Sequence, residues 1–153
     1  MSATAAGEIS YEPVHAAMVR PLRGEVLRPG EAPERLIYPG DEDPSTLHLA
    51  AFRDGNVVGI VTVMADGHPT SPRPGDWRVR GMATVEAMRN EGIGGAMLAR
   101  GETHAREQAG TRLWCNARVG ARTLYERIGM TVEGDVFEIA GIGEHYVMSK
   151  PLD

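Results

Sequence analysis

The chain has 153 residues, 42% of them apolar, with 16 basic against 21 acidic side chains and a formal charge of −5. At this length one domain can hide ~70% of the surface its unfolded form exposes, enough for a core without disulfides or a structural metal. The acidic balance argues against general nucleic-acid binding, and the longest apolar stretch, residues 57–65, falls well short of the ~18 residues that cross a bilayer.

The N-terminal MSATAAGEISYEP has neither a basic start nor an apolar run. This predicts a cytoplasmic protein whose residues 1–12 form a loose tail. Val14, Met18, Leu22 and Val26 then recur at four-residue spacing and predict a helix interrupted at Pro21. Residues 29–44 hold four prolines and two glycines and predict a long loop with a short helical turn around Glu34. Glu31, Glu34, Asp41, Glu42 and Asp43 crowd this loop, whereas Arg73, Arg78, Arg80, Arg89 and Arg100 gather in the middle of the chain. An acidic loop can attract a cationic amine, although such charges are ordinarily just solvated.

From Thr46 the pattern has period two, with Leu47, Leu49 and Ala51 on one side and a β-branched run from Val57 to Met64. With Asp54-Gly55-Asn56 between them, the two runs predict a β-hairpin. A second proline-rich loop leads into WRVRGMAT, residues 77–84, read as a strand in which Val79 and Gly81 alternate with arginines. The next segment opens with glycines and turns helical. Gly94, Leu98, Gly101 and Ala105 form a narrow stripe of small side chains for close packing on a sheet, with Arg100, Thr103, Arg106 and Glu107 outside and Glu102 able to pair with Arg106.

Gly110 stops that helix. Residues 111–117 read as a short strand, and residues 118–128 as a helix that places Ala121, Leu124 and Ile128 on one face, with Gly129 as its C-cap. The remainder holds two strands joined by a turn at residues 140–143. The order helix, hairpin, strand, helix, strand, helix, hairpin predicts a mixed α/β sheet with helices packed on it, in one domain over residues 1–153.

The chemistry concentrates at Arg89-Asn90-Glu91-Gly92-Ile93-Gly94-Gly95, where the chain leaves a strand and enters a helix. Amides of a first helical turn lack intrahelical acceptors, glycines let a ligand approach the backbone, and the helix dipole favours an anion, so a phosphate or diphosphate is the natural occupant. The same glycines would equally shape a tight strand-to-helix turn. No Gly-Lys pair exists for a P-loop, and Gly92-Ile93-Gly94-Gly95-Ala96-Met97 misses the third glycine of a dinucleotide fingerprint.

Strand, Arg-x-x-Gly-x-Gly, helix, short strand and a helix ending Tyr-Glu-x-x-Gly resembles the GNAT superfamily of acetyl-CoA-dependent N-acetyltransferases. Arg89, Gly92 and Gly94 match the first motif, and Tyr125-Glu126-Arg127-Ile128-Gly129-Met130 the second, with Met130 where the family usually has phenylalanine. Phe137, Gly141, Ile142, His145 and Met148 resemble the ending of the ElaA-like branch, although Gly-Ile-Gly-Glu-His stands here in place of Gly-Ile-Pro-His. The asparagine that many members carry seven positions before the tyrosine is Arg118, with Asn116 two residues earlier.

The resemblance implies a mostly antiparallel central sheet flanked by helices, with a cofactor cleft where the Trp77 strand splays from the Thr111 strand. It implies that the diphosphate of coenzyme A lies on the amides of Asn90, Glu91, Gly92, Ile93, Gly94 and Gly95 beside Arg89, that the pantetheine arm pairs with Met82, Ala83 and Thr84, and that Asn116 or Arg118 faces the cofactor. Tyr125 would act as general acid, since an ordinary phenol (~10) stays protonated where a thiol (~8.5) begins to ionise. Its alternative is a half-buried ring near Ala121. The acceptor would be a primary amine of a small molecule or peptide, and many members pair as homodimers.

For the base, His145, Glu86, Glu144, His48, His68 and a water chain stay open, with His145 the first to test. Cys115 reads as an inert core thiol and His104 as a packing residue without a second ligand at metal spacing, so no metal is expected. Eight methionines against two phenylalanines suggest a core or acceptor pocket filled by flexible thioethers. Rival readings are a non-catalytic acyl-CoA-binding or sensing module and a nucleotide site at the same loop.

Overall fold

The structure, a computed structural model, describes residues 7–153. Among these residues one sheet is built from β1 (Ile9–Pro13), β2 (Leu47–Arg53), β3 (Asn56–Ala65), β4 (Asp76–Thr84), β5 (Arg112–Arg118), β6 (Thr131–Ile139) and β7 (Gly143–Pro151), in the order β1-β2-β3-β4-β5-β7-β6. Every neighbouring pair is antiparallel except β4 and β5, which run parallel. The β2–β3 turn uses Asp54 and Gly55, both with positive φ, as a right-twisting two-residue hairpin requires.

Three helices cover the sheet: α1 (Ala16–Leu22) on one face, α2 (Ile93–Glu107) and α3 (Arg122–Arg127) on the other. β3 shows why both faces need cover. Its Val61 and Val63 join the core under α2, while Ile60, pointing the other way, joins Val19 and Leu22 of α1. The small-residue stripe of α2 packs as its spacing predicts. Leu98, Gly101 and Ala105 are buried, and a Cβ on Gly101 would stand 2.7 Å from Val63 Cγ2.

Two expectations are corrected. Residues 1–6 lie outside the described residues, but residues 9–12, expected in a loose tail, belong to edge strand β1, which pairs with β2 from Ile9–Arg53 to Pro13–Leu49 and packs Ile9 and Tyr11 against the core. The Ile9-x-Tyr11 alternation is too short to stand out from coil. Nor does Pro21 interrupt the first helix: α1 runs through it and continues as a π-helical turn, Arg23–Leu27, closed by Arg28 N–H to Arg23 O at 2.9 Å. Pro21 and Ala17 both face solvent, where water can take the carbonyl the proline leaves unbonded. The buried stripe is consequently Ala16, Val19 and Leu22, and Met18 is exposed.

β4 and β5 pair at Asp76–Arg112, Trp77–Leu113 and Arg78–Trp114 and then part. Beyond this point the register of β4 against β3 slips by one residue between Arg80 and Ala83, a bulge made at Gly81 with φ of +60°. The closed end is braced by a buried ion pair, Arg112 Nε to Asp76 Oδ1 at 2.8 Å and Nη2 to Oδ2 at 2.9 Å, and Asp76 also accepts the amides of His68 and Arg73. Burial alone would raise this carboxyl; the Arg112 bonds and then the two amides outweigh it and hold it at about 2, against the usual 3.8.

A carboxyl depressed on folding stabilises the protein above its unfolded value and loses that contribution as pH falls toward its folded one. Unfolding free energy should therefore drop by about 2 kcal/mol between pH 4 and pH 2 on account of Asp76. Urea titrations across that range check it, and Asp76→Asn should flatten this part of the acid dependence.

Candidate active site

Where β4 parts from β5, the chain runs from Thr84 through a 3-10 turn, Glu86–Met88, to Asn90 and Gly92, both with positive φ, and into α2. Arg89 Nε donates to Thr84 O at 3.2 Å, fastening the loop to the strand end. The first bond within α2 is Ala96 N–H to Gly92 O at 3.1 Å, and Gly92 supplies no side-chain cap. The amides of Ile93, Gly94 and Gly95 are thus left without intrahelical acceptors.

The glycines divide the work. A Cβ on Gly94 would lie 2.7 Å from Met82 Cε, so Gly94 lets the helix approach the strand; at Gly92 and Gly95 a Cβ would meet nothing within 4 Å, leaving open space beside the amides. Free amides at the positive end of a 15-residue helix, next to uncovered glycine backbone and one arginine, suit a diphosphate.

This loop forms one wall of a groove of about 550 Å³. Met82, Ala83, Thr84, Arg89, Asn90, Gly92, Ile93 and Gly94 line it, together with Val26 and Leu27 from the π-turn and Arg118, Gly120, Ala121, Leu124 and Tyr125 from the far side. Glu91 of the loop and Gly95 of the first helical turn lie off the groove wall. Asn116 is also off this wall: it lines the adjoining cavity, its Oδ1 buried without a partner, whereas Arg118 lines both groove and cavity.

Tyr125 lies at the junction, lining both spaces. α3 is held in place by its C-terminal end, where Gly129 N–H meets Glu126 O at 3.0 Å and Met130 N–H meets Tyr125 O at 3.1 Å, with φ of +96° at Gly129. The Tyr125 ring is buried, and its hydroxyl makes no hydrogen bond among the described residues. Burial pushes the phenol far above its usual 10, Cys115 adds to the rise and Arg118 opposes it. Cys115 is itself buried, 3.7 Å from Met130 Sδ, and burial raises its thiol to about 12, so it is no nucleophile.

The second space, a cavity of about 150 Å³, lies between the π-turn, the bulged part of β4 and the β6–β7 turn. Arg28, Tyr38, Arg78, Arg80, Arg118, Ile139, Ile142 and His145 line it. Among the candidate bases only His145 faces this cavity. It is buried beside Phe137, and its Nδ1 donates to Gly143 O at 2.8 Å, which fixes Nε2 as the basic nitrogen. His48 is locked to Asp41 O and Thr62, His68 to Glu133, and Glu86 and Glu144 are exposed off the lining. His104 donates to or accepts from nothing at the site: its Nε2 meets Ser45 O at 2.7 Å, and its ring stands edge-on to Trp77.

Sequence reasoning missed Tyr38, Arg78 and Arg80. The available signal was WRVRG itself: arginines at alternate positions of an interior strand put two guanidiniums on one half-buried face, where they need something to meet.

The profile of the acetyltransferase (GNAT) family matches residues 15–130. The uncharacterized N-acetyltransferase YitI of Bacillus subtilis is 33% identical over 131 residues, 86% of this chain and 88% of YitI. Among solved structures, Escherichia coli ElaA superposes with a TM-score of 0.76 at 16% identity, over 94% of this chain and 99% of ElaA. An aminoglycoside 6′-N-acetyltransferase complexed with coenzyme A superposes with a TM-score of 0.69 at 15% identity, over 94% and 96% of the two chains.

Proposed function

Since this chain belongs to the acetyltransferase (GNAT) family and is an acetyl-CoA-dependent acyltransferase, we propose that it transfers the acetyl group directly to a primary amine of a small molecule or peptide, with Tyr125 as general acid. Acetyl-CoA enters as a substrate and supplies the activated acyl group. The observation that carries the proposal is the place of Tyr125, which lines both the groove beneath the free amides and the cavity beyond.

Each part of the site then has a task. The amides of Ile93, Gly94 and Gly95 with Arg89 bind the diphosphate. Splaying of β4 from β5 leaves backbone polar groups near Met82–Thr84 free to pair with the extended pantetheine arm and to polarise the acyl carbonyl. In this reading His145 Nε2 takes the proton from an amine in the cavity, the Tyr125 hydroxyl gives its proton to the departing sulfur, and solvent then removes one proton from His145 and returns one to Tyr125; the lining of the cavity by both residues supports it.

Amine-dependent release of thiol from acetyl-CoA by the purified protein tests the reading. Tight CoA binding without turnover across a broad amine panel would make the protein a sensor, and equal protection against unfolding by ATP and CoA would make the loop a nucleotide site. Gly95→Glu probes the amide cradle. A glutamate at the third helical position favours the helix, and its Cβ meets open space, so thermal stability should hold or rise while acetyl-CoA affinity falls about tenfold through charge repulsion. Calorimetry and a melting curve on one sample read the opposite signs.

A further inference from the structure

Beyond Tyr125 the cavity is charged in one sense. Among the described residues no carboxylate lines it, and Arg28, Arg78, Arg80 and Arg118 do. Three of these have partners: Arg28 lies 3.8 Å from Glu31, Arg78 3.2 Å from Asp66, and Arg118 donates to Leu27 O. Arg80 makes no hydrogen bond or ion pair among the described residues. Its guanidinium is stacked 3.9 Å from the centre of the Tyr38 ring, whose opposite face is held by Arg23 at 3.8 Å.

Of the acids of the 29–44 loop, Glu31 reaches Arg28 at the cavity's edge, and three others are engaged away from Arg80. Asp41 is turned inward onto Arg23, Glu42 pairs with Arg20 and His15, and Asp43 accepts from Ser45. Burial, followed by repulsion from Arg78, draws the Arg80 guanidinium down to about 10 against a smaller opposing pull from Tyr38 and Asp66, so it is charged at neutral pH, and Asp66 is itself bonded to Arg78. A half-buried cation held in place by an aromatic ring and without a hydrogen-bonded partner keeps its donors free for an oxyanion.

We propose that the acceptor is a primary amine that also bears a compact oxyanion, a carboxylate or a phosphate, seated on Arg80 with Arg78 beside it while the amine faces His145 and Tyr125. This rests on the acetyl-transfer reading and narrows its acceptor. It excludes polyamines and aminoglycosides, whose charges would meet like charge in the cavity. The guanidinium fork takes either oxyanion in bidentate fashion.

Initial rates with acetyl-CoA should be compared within matched pairs, 4-aminobutyrate against 4-aminobutanamide and 2-aminoethyl phosphate against ethanolamine, with putrescine as the cationic arm. The anionic member of at least one pair should have a kcat/KM about 10- to 100-fold above its neutral partner, and the pair that responds identifies carboxylate or phosphate. Arg80→Gln should collapse that ratio, and Arg80→Lys should keep part of it. Acetyl-CoA affinity serves as the check on folding. Equal or better use of ethanolamine or putrescine overturns the inference and leaves acetyl transfer standing.

Calorimetric titration of 4-aminobutyrate and 2-aminoethyl phosphate into the CoA-bound protein gives a readout without turnover. Binding that Arg80→Gln abolishes, in a protein that acetylates none of these amines, supports the anion site and removes the transfer reading. Binding indifferent to Arg80, or an Arg80→Gln protein that loses acetyl-CoA affinity instead, overturns the anion site.

Discussion

Tyr125→Phe is expected to lower kcat by about a hundredfold or more while acetyl-CoA affinity stays within about threefold. The substitution deletes one oxygen and little else. The ring keeps its place in the core, and the helix end uses the backbone carbonyl of residue 125, which phenylalanine retains. With no hydrogen bond to lose among the described residues, the fold has little reason to notice the missing hydroxyl, so a fall in rate reports on chemistry. The direction of the Tyr125 shift adds a signature: a phenol that burial keeps protonated through the alkaline range gives the wild-type rate no descending limb from this group up to pH 10. A loss of less than threefold in Tyr125→Phe would pass the acid role to solvent.

Asp41→Asn should destabilise the protein by about 3 to 5 kcal/mol, measured by urea denaturation at neutral pH. Arg23 is fully buried, and its Nη1 and Nη2 donate to the two Asp41 oxygens at 2.7 and 3.0 Å, with further bonds to Leu36 O and Thr62 Oγ1. Asparagine can hold the shape but not the charge, so the guanidinium would stay buried without its counter-ion. Burial would raise the Asp41 carboxyl; its bonds to Arg23 and the Tyr38 amide outweigh that and lower it, so this stability too is present at neutral pH and drains away in acid. The exposed pair Arg122–Glu126 gives the scale: Glu126→Gln should change stability by no more than about 0.5 kcal/mol. Because Asp41 also anchors Tyr38, on which Arg80 stacks, the surviving folded fraction should show poorer acceptor selectivity.

The elements that repeat a simple period were legible in the sequence. Leu47, Leu49 and Ala51 gave the hairpin its pattern, the Gly94–Leu98–Gly101–Ala105 spacing marked the packed face of α2, and Gly129 marked the end of α3. The groove was legible for a different reason. Its contacts come from backbone at glycines, and glycine spacing is visible in one dimension.

The cavity was not legible, since Arg28, Tyr38, Arg80 and His145 come from distant stretches of chain and meet only when β4 bulges at Gly81 and the 29–44 loop folds back on Arg23. Long-range pairing also hid β1, which becomes a strand by finding β2 some 40 residues later. Pro21 misled because local propensity takes no account of whether the lost bond faces water or core.

The short junction between β4 and β5 makes the sheet two half-sheets joined at one corner, β1 to β4 on one side and β5 to β7 on the other. Load pulling the halves apart would fall on the ladder at Asp76, Trp77 and Arg78, on the ion pair of Asp76 with Arg112, and on the ties of Trp114 to Asp66 O and of His68 to Glu133. An extended molecule lying in the notch would stitch the two plates together, so binding there is expected to stiffen the protein.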